Sequence, residues 1–345
     1  MTISNPALNY RSDTLTEFEE QHVRETAGAA LRRSGRRSGE RVPSPSLLRR
    51  LAIEQGLERP RRFRRVLDRP EILRALRSVL QIALRITGLR ERGRQNALRP
   101  VIRHLRLAFP TLPTAFAGIR ILHLSDLHAD IPIPLVDRVI ERVRGLAVDL
   151  CLLTGDYRFE ASGSCDRACE AMAKILAAVE APLGVFGVLG NHDPAEMVGR
   201  LGQFGASILV NDTVEIRRGQ ESIHLVGVDD PHYYGCDDLT SALFGVPREA
   251  FKILLAHSPE LASEASAARV NLYLCGHTHA GQICLPWIGP MWVNATCPRQ
   301  FTRGSWKYLK MLGFTSAGVG CSLVPARFHC PPEIAVIELV CPTPG

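Results

Sequence analysis

Two aspartates, one asparagine and four histidines are notable for where they fall. Asp126 and His128 lie in Ser125-Asp126-Leu127-His128, directly after the apolar run 119–124. Asp156 lies in Thr154-Gly155-Asp156-Tyr157, after the run 150–153. Asn191 lies in Gly190-Asn191-His192-Asp193, after 184–189. His257 closes the run 252–256, and His277 and His279 lie in Gly276-His277-Thr278-His279, after 270–274. Catalytic groups gather at such places, because strand ends are rigid and the loops leaving them are adaptable. In extended backbone, the alternate spacing of Asp126 with His128, and of His277 with His279, turns both members of a pair to one side. Nitrogen and oxygen donors without thiolate suit Mn, Fe, Zn or Co. Seven donors exceed what one such ion takes; they match two divalent ions sharing a carboxylate. Two ions about 3.5–4 Å apart serve displacement at phosphorus: they polarise phosphoryl oxygens and lower the pKa of water.

The order Asp-x-His, Gly-Asp, Gly-Asn-His-Asp, a lone His and Gly-His-x-His resembles the calcineurin-like metallophosphoesterase family, across roughly residues 118–345. The resemblance implies an α/β fold, a four-layer αββα sandwich of two mixed sheets with helices outside. It implies one ion held by Asp126, His128 and His279, a second by Asn191, His257 and His277, and Asp156 bridging them. Mn, Fe or Zn would fill these places. His192 would bind the substrate phosphate and act as general acid toward the leaving oxygen, and Asp193 would orient His192. The run from Gly276 to Gln282, with Arg327-Phe328-His329-Cys330-Pro331-Pro332-Glu333-Ile334 later, is similar to a bacterial branch of membrane-associated phosphodiesterases. That branch includes a UDP-2,3-diacylglucosamine pyrophosphatase. The implied function is metal-dependent hydrolysis of a phosphodiester or pyrophosphate, on a phosphorylated small molecule or a lipid-linked substrate. A nuclease using the same ions and a non-catalytic scaffold of the same fold are the alternatives.

The elements that must position these groups are short. Apolar runs at 119–124, 150–153, 184–189, 223–228, 252–256, 270–274 and 334–340 read as largely buried strands. Helical spacing falls between several of them, notably at 136–146 and 169–179. This alternation reads as an α/β domain, and the resemblance makes 117–345 its catalytic domain.

The chain of 345 residues carries a formal charge of +7, unevenly spread. Residues 1–115 hold 24 Arg and 11 acids, +13, and the remainder holds 18 bases and 24 acids, −6. Residues 1–45 are expected to form a disordered basic tail, and 46–112 an Arg-rich amphipathic helical segment. Ile72, Leu76, Val79, Leu80, Ala83 and Ile86 recur at helical spacing opposite Arg74, Arg77 and Arg85. A second helix is expected from Pro100, with Val101, Ile102, Leu105, Ala108 and Phe109 on one face. Such helices either lie in an anionic membrane interface or pack on the body with Arg facing water. Nucleic acid is a weaker partner, since the arm has few aromatics for stacking. No secretory signal is evident in Met1 to Tyr10, and the ten Cys all follow residue 150. Reduced thiols in the cytoplasm are expected, with a peripheral position on the inner face of the membrane as the extension of that reading.

Arg158 could clamp a phosphate bidentately, and His232, in Asp229-Asp230-Pro231-His232, could contact substrate. His123 inside the first run reads as a satisfied core residue. Cys165 and Cys169 read as buried small apolar residues. Trp287, Trp292, Phe301 and Trp306 read as core, or as an apolar wall beside the site.

Overall fold

The computed structural model describes residues 45–60, 70–290 and 293–342. The expected tail over 1–45 lies outside them apart from its last residue, as does Trp292. The apolar runs become strands because alternate side chains find apolar cover on both sides. In β2 (Arg120–Leu124) and β3 (Leu150–Thr154), Ile121, Leu150 and Leu152 face one apolar cluster, while Leu122, Leu124, Cys151 and Leu153 face another. This is the two-residue period of a strand buried on both faces.

These strands belong to a six-stranded sheet in the order β1-β14-β2-β3-β4-β5, completed by β1 (Val101–Ala108), β4 (Val185–Val188), β5 (Ala206–Ile208) and β14 (Glu333–Val340). A second six-stranded sheet has the order β12-β13-β9-β8-β7-β6. It contains β6 (Asp212–Arg218), β7 (Glu221–Gly227), β8 (Lys252–Leu255), β9 (Leu272–Cys275), β12 (Gly304–Tyr308) and β13 (Met311–Thr315). Both sheets are mixed: β2, β3, β4 and β5 run parallel, as do β7, β8, β9 and β13, with antiparallel neighbours at the margins. Ile223, Leu225, Ile253, Leu255, Leu272, Leu274 and Phe314 of the second sheet meet the inward residues of the first. Helices α4 (Leu135–Val143), α5 (Asp166–Leu176) and α6 (Met197–Gln203) cover the outer face of the first sheet. Helices α7 (Leu239–Ala242) and α8 (Ala262–Ala267) cover part of the outer face of the second. The four layers are helix, sheet, sheet, helix, as expected.

The arm differs from the expectation in one respect. No helix starts at Pro100; Val101–Ala108 is a strand that pairs in parallel with all eight residues of β14. Leu105 and Leu107 turn inward against the inter-sheet core while Arg106 stays exposed. Arg103 and Arg106 reach Glu333 and Glu338 on the neighbouring strand. The spacing of Val101, Ile102, Leu105, Ala108 and Phe109 also fits a helix. The partner strand, over two hundred residues away, decides the outcome. The first sheet therefore begins at Val101, ahead of the expected boundary at 117.

The rest of the arm is helical. Helix α1 (Pro45–Glu54) buries Leu47, Leu51, Ala52 and Ile53 on the body. Helix α2 (Pro70–Ile86) and the short α3 (Arg90–Ala97) follow. Helix α2 leaves Val79, Ile82 and Ile86 exposed. Among the described residues, no helix is long and apolar enough to cross a membrane.

Candidate metal centre

The five clusters converge where β2, β3, β4, β8 and β9 end. The pairs are not brought together by extended backbone, which corrects the expectation from their alternate spacing. Asp126 (φ 51°), His128 (φ 41°), Asp156 (φ 56°), His277 (φ 68°) and His279 (φ 48°) all adopt left-handed backbone. The strands have ended at Leu124 and Cys275, so the loops are free to turn sharply. Such conformations cost about 1–3 kcal/mol each and persist where the surroundings over-determine them. Two glycines make room for the approach. A Cβ on Gly190 would overlap Asp156, and one on Gly276 would overlap Ser125 Oγ and Asp126 Oδ2.

Three imidazoles are oriented by backbone carbonyls. Since a carbonyl only accepts, Nδ1 must carry the proton in each case. His128 Nδ1 donates to the Arg158 carbonyl (2.7 Å), His192 Nδ1 to Phe159 (2.7 Å) and His257 Nδ1 to Thr154 (2.7 Å). Each ring therefore turns Nε2 toward the centre, the arrangement that prepares a histidine as a ligand. His257 Nε2 lies 3.0 Å from Asn191 Oδ1, 3.1 Å from His277 Nδ1 and 3.4 Å from Asp156 Oδ2. His128 Nε2 lies 3.1 Å from His279 Nε2 and 3.8 Å from Asp156 Oδ2, and His279 Nε2 lies 3.4 Å from Asp126 Oδ1. Lone pairs this close repel one another unless a cation sits among them.

The electrostatics agree. Burial, partly opposed by His257, raises the Asp126 carboxyl to about 6. Asp156 stays well below the usual carboxylate range: burial opposes its charge, but His257, His192 and His128 outweigh burial. Burial pushes His257 down, yet Asp156 and Asp126 raise it to about 10, so the position attracts positive charge. Burial lowers His128 to about 4, and His277 and His279 well below their usual range. Three groups present one donor atom each within 4.8 Å of one another: Asp126, His128 and His279; His128, Asp156 and His192; Asp156, His257 and His277. The residues present fit divalent metal, with Asp156 shared between two of the groups.

Among the described residues, Asp193 makes no hydrogen bond to the His192 ring. Its two oxygens accept from the backbone N–H groups of Asp156, Tyr157, Arg158 and Gly190, so it holds the Asp156 loop. Arg158 is buried and donates to the carbonyls of His192 (2.9 Å) and Gly163 (2.6 Å), bracing the loops. His232 is buried, its ring 4.0 Å from that of His277 and its Nδ1 2.9 Å from Glu260. His123 is a core residue bonded to Thr154 Oγ1 (2.9 Å). Cys165 and Cys169 are buried, with their sulfurs 3.7 Å apart. Phe301 and Trp306 pack in the core, whereas Trp287 is fully exposed.

The sequence reading missed Arg50, Asp229 and Arg327. Arg50 is fully buried and donates to the carbonyls of Gly190 and Asp193. One signal was present: Leu47, Arg50, Leu51 and Glu54 share a helix face at i, i+3, i+4 and i+7. Arg327, also fully buried, donates to the carbonyls of Ala317, Gly318 and Gly320, the segment that carries the backbone past Asp126.

Buried carboxylates and imidazoles at one end of an αββα sandwich define a metal-dependent hydrolase of phosphoric esters. The chain belongs to the calcineurin-like phosphoesterase family, whose model matches residues 119–281. It is similar to the uncharacterized metallophosphoesterase YkuE of Bacillus subtilis (strain 168), 30% identical over 237 residues, 66% of this chain and 81% of the relative. Phosphodiesterase YaeI of Escherichia coli (strain K12) is 30% identical over 250 residues, 70% of this chain and 88% of the relative. The UDP-2,3-diacylglucosamine pyrophosphatase LpxG of Chlamydia muridarum is 26% identical over 307 residues, 70% of this chain and 91% of the relative.

Proposed function

We propose that the protein hydrolyses a phosphodiester or pyrophosphate bond with two divalent ions, on a lipid-linked substrate at an anionic membrane surface. The observation that carries the hydrolytic reading is the convergence of the Nε2 atoms of His128, His257 and His279, His277 Nδ1, Asn191 Oδ1 and Asp126 around the shared Asp156 carboxylate. Asp126, His128 and His279 would hold one ion, Asn191, His257 and His277 the other, and Asp156 both. The donor set accepts Mn, Fe or Zn. Bound divalent ions polarise phosphoryl oxygens and lower the pKa of water. His192 has the most open side chain of the five imidazoles facing the centre, at 21% exposed, so a substrate reaches it. Phe159 fixes its Nδ1, which aims Nε2 at the leaving oxygen. As the imidazolium, protonated on both nitrogens, His192 gives that oxygen its Nε2 proton as the P–O bond breaks and is left neutral, with Nδ1–H still on the Phe159 carbonyl. Asp193 keeps Asp156 in place while this happens.

The surface supports the lipid half of the reading. Helix α2 exposes Val79, Ile82 and Ile86 alongside Arg74 and Arg85. Its Arg77 pairs with Glu160 (2.7 Å) and lies over the Phe159 ring, so the helix stands next to the residue that orients His192. The hairpin of β10 (Cys284–Leu285) and β11 (Gly289–Pro290) leaves the Gly-His-Thr-His loop and exposes Leu285, Trp287 and Ile288. Apolar tips flanked by Arg suit a peripheral position on an anionic, cytoplasmic leaflet.

The test uses the full chain, because β1 completes a sheet. Mn-loaded protein is assayed on p-nitrophenyl phosphate, bis-p-nitrophenyl phosphate, UDP-2,3-diacylglucosamine and single-stranded DNA. Preferred turnover of the lipid-linked pyrophosphate, with loss of phosphatidylglycerol vesicle binding in a Val79→Ser/Ile82→Ser/Ile86→Ser variant, supports the reading. Preferred turnover of DNA makes the protein a nuclease. No turnover with two ions bound makes it a scaffold.

A further inference from the structure

Helix α1 lies outside both sheets and ahead of the family match, which begins at residue 119. It sends one fully buried guanidinium into the body. Arg50 Nη1 pairs with Asp229, itself fully buried, and Nε with Glu54 Oε1 at 3.1 Å. Arg50 Nη2 donates to the Gly190 carbonyl at 2.8 Å and to the Asp193 carbonyl. The Tyr234 ring lies 3.9 Å from the guanidinium carbon. Glu54 Oε1 in turn accepts from the backbone N–H of Ala195 at 2.9 Å.

Those two carbonyls bracket Asn191 and His192. One nitrogen therefore ties down both ends of the two-residue segment that carries a metal donor and the proposed acid. Burying a guanidinium is costly unless every donor is paired, and here each nitrogen is paired. If the helix only needed anchoring, Leu47, Leu51 and Ala52 would suffice, and an apolar residue at position 50 would avoid the cost. Arg50 also joins this loop to the Asp229–Asp230 turn, where Asp230 accepts from the N–H groups of His232, Tyr233 and Tyr234. The His232 ring lies against that of His277, tilted by 45°. The guanidinium thus links loops from both sheets.

We infer that Arg50 is a positioning residue of the hydrolytic site, acting from the arm to hold Asn191 and His192 in register with Asp156. The inference rests on the hydrolytic reading for its effect on rate, and on the observed contacts alone for its effect on loop order. Lysine keeps the charge opposite Asp229 but lacks the fork that reaches both carbonyls, so Arg50→Lys is the informative variant. Arg50→Ala leaves Asp229 buried without a counter-charge and serves only as a comparison if it folds.

The experiment measures amide exchange by mass spectrometry on metal-free full-length protein, then kinetics on bis-p-nitrophenyl phosphate at saturating Mn. For Arg50→Lys, exchange in peptides covering 190–195 is expected to rise about tenfold, with peptides of β8 and β9 unchanged. The value of kcat is expected to fall about 100-fold with KM within about twofold, as displacement of a catalytic group by about 1 Å entails. A merely structural role would lower the unfolding midpoint and leave the kcat of the folded protein intact. Unchanged exchange at 190–195, or kcat within about twofold of wild type, overturns the inference. If exchange rises while the wild type hydrolyses no phosphoric ester, the positioning of the loop stands and the hydrolytic reading falls.

Discussion

Asp193→Asn separates the two roles open to that residue. The carboxylate accepts from four backbone N–H groups at 2.7, 2.8, 2.8 and 3.2 Å. Burial and the neighbouring Asp156 raise its pKa, yet four donors aimed at two oxygens require the ionised form. Asparagine has the same shape but one oxygen; its amide nitrogen would face two N–H groups and accept from neither. Two lost charge-assisted bonds at about 1.5–3 kcal/mol each amount to roughly 3–6 kcal/mol. Removing a buried charge beside Asp156 returns part of this, so the expected loss is about 2–4 kcal/mol. Urea unfolding of metal-free protein, followed by far-UV circular dichroism, measures it directly. The Asp156 loop is anchored by these bonds, so kcat at saturating Mn should also fall. A loss below about 0.5 kcal/mol, together with a shift of one limb of the pH profile of kcat/KM, would refute the argument. Asp193 would then act on the His192 ring after all.

Three further outcomes follow from the same geometry. His192→Ala is expected to keep its bound metal, measured by elemental analysis, while turnover of an unactivated diester falls about 10²–10⁴-fold; full turnover would remove His192 as the acid. Gly276→Ala places a Cβ on Ser125 Oγ and Asp126 Oδ2, and calorimetry should show Mn affinity reduced by about 10–100-fold, with wild-type affinity contradicting the close approach. Burial lowers the His123 pKa to about 3 from 6.5. The unfolded chain takes up a proton below pH 6.5 that the folded chain refuses until about pH 3, so stability present above 6.5 is lost as pH falls through that window. The loss reaches on the order of 5 kcal/mol. His123→Gln should unfold with a shallower pH dependence at fixed metal concentration, and an unchanged slope would show that His123 titrates normally.

What was legible in the sequence depended on how far each residue's partners lie along the chain. The runs at 119–124, 150–153 and 270–274 announced their strands because burial on both faces demands unbroken apolar character, a local property. The donors at their ends announced the site because type and order suffice to suggest a shared ion. The backbone beneath them was not legible. Asp126, His128, His277 and His279 are left-handed because Gly276 and Gly318 let distant loops close on them, and spacing alone cannot distinguish that from an extended pair. Asp193 was hidden for a related reason: the resemblance gave it the task of orienting His192, while its partners are amides 35–37 residues earlier in the chain, with Gly190 beside it.

The arm shows the same limit from the other side. Val101–Ala108 is a strand only because β14 offers an edge to it, and the apolar spacing of the two candidate structures is nearly the same over eight residues. Arg50 was counted as one of 24 arginines in a basic stretch, where each is expected to face water. Its burial depends on Asp229, 179 residues away, and on two carbonyls whose positions exist only once the site has formed. A charge-rich arm therefore contains two populations that composition merges. The arginines of α2 largely face outward beside an apolar stripe, whereas Arg50 turns inward and completes the loop that carries His192. The arm and the site are one unit in this chain, and a truncation intended to remove a membrane-binding segment would also remove part of what holds the proposed acid in place.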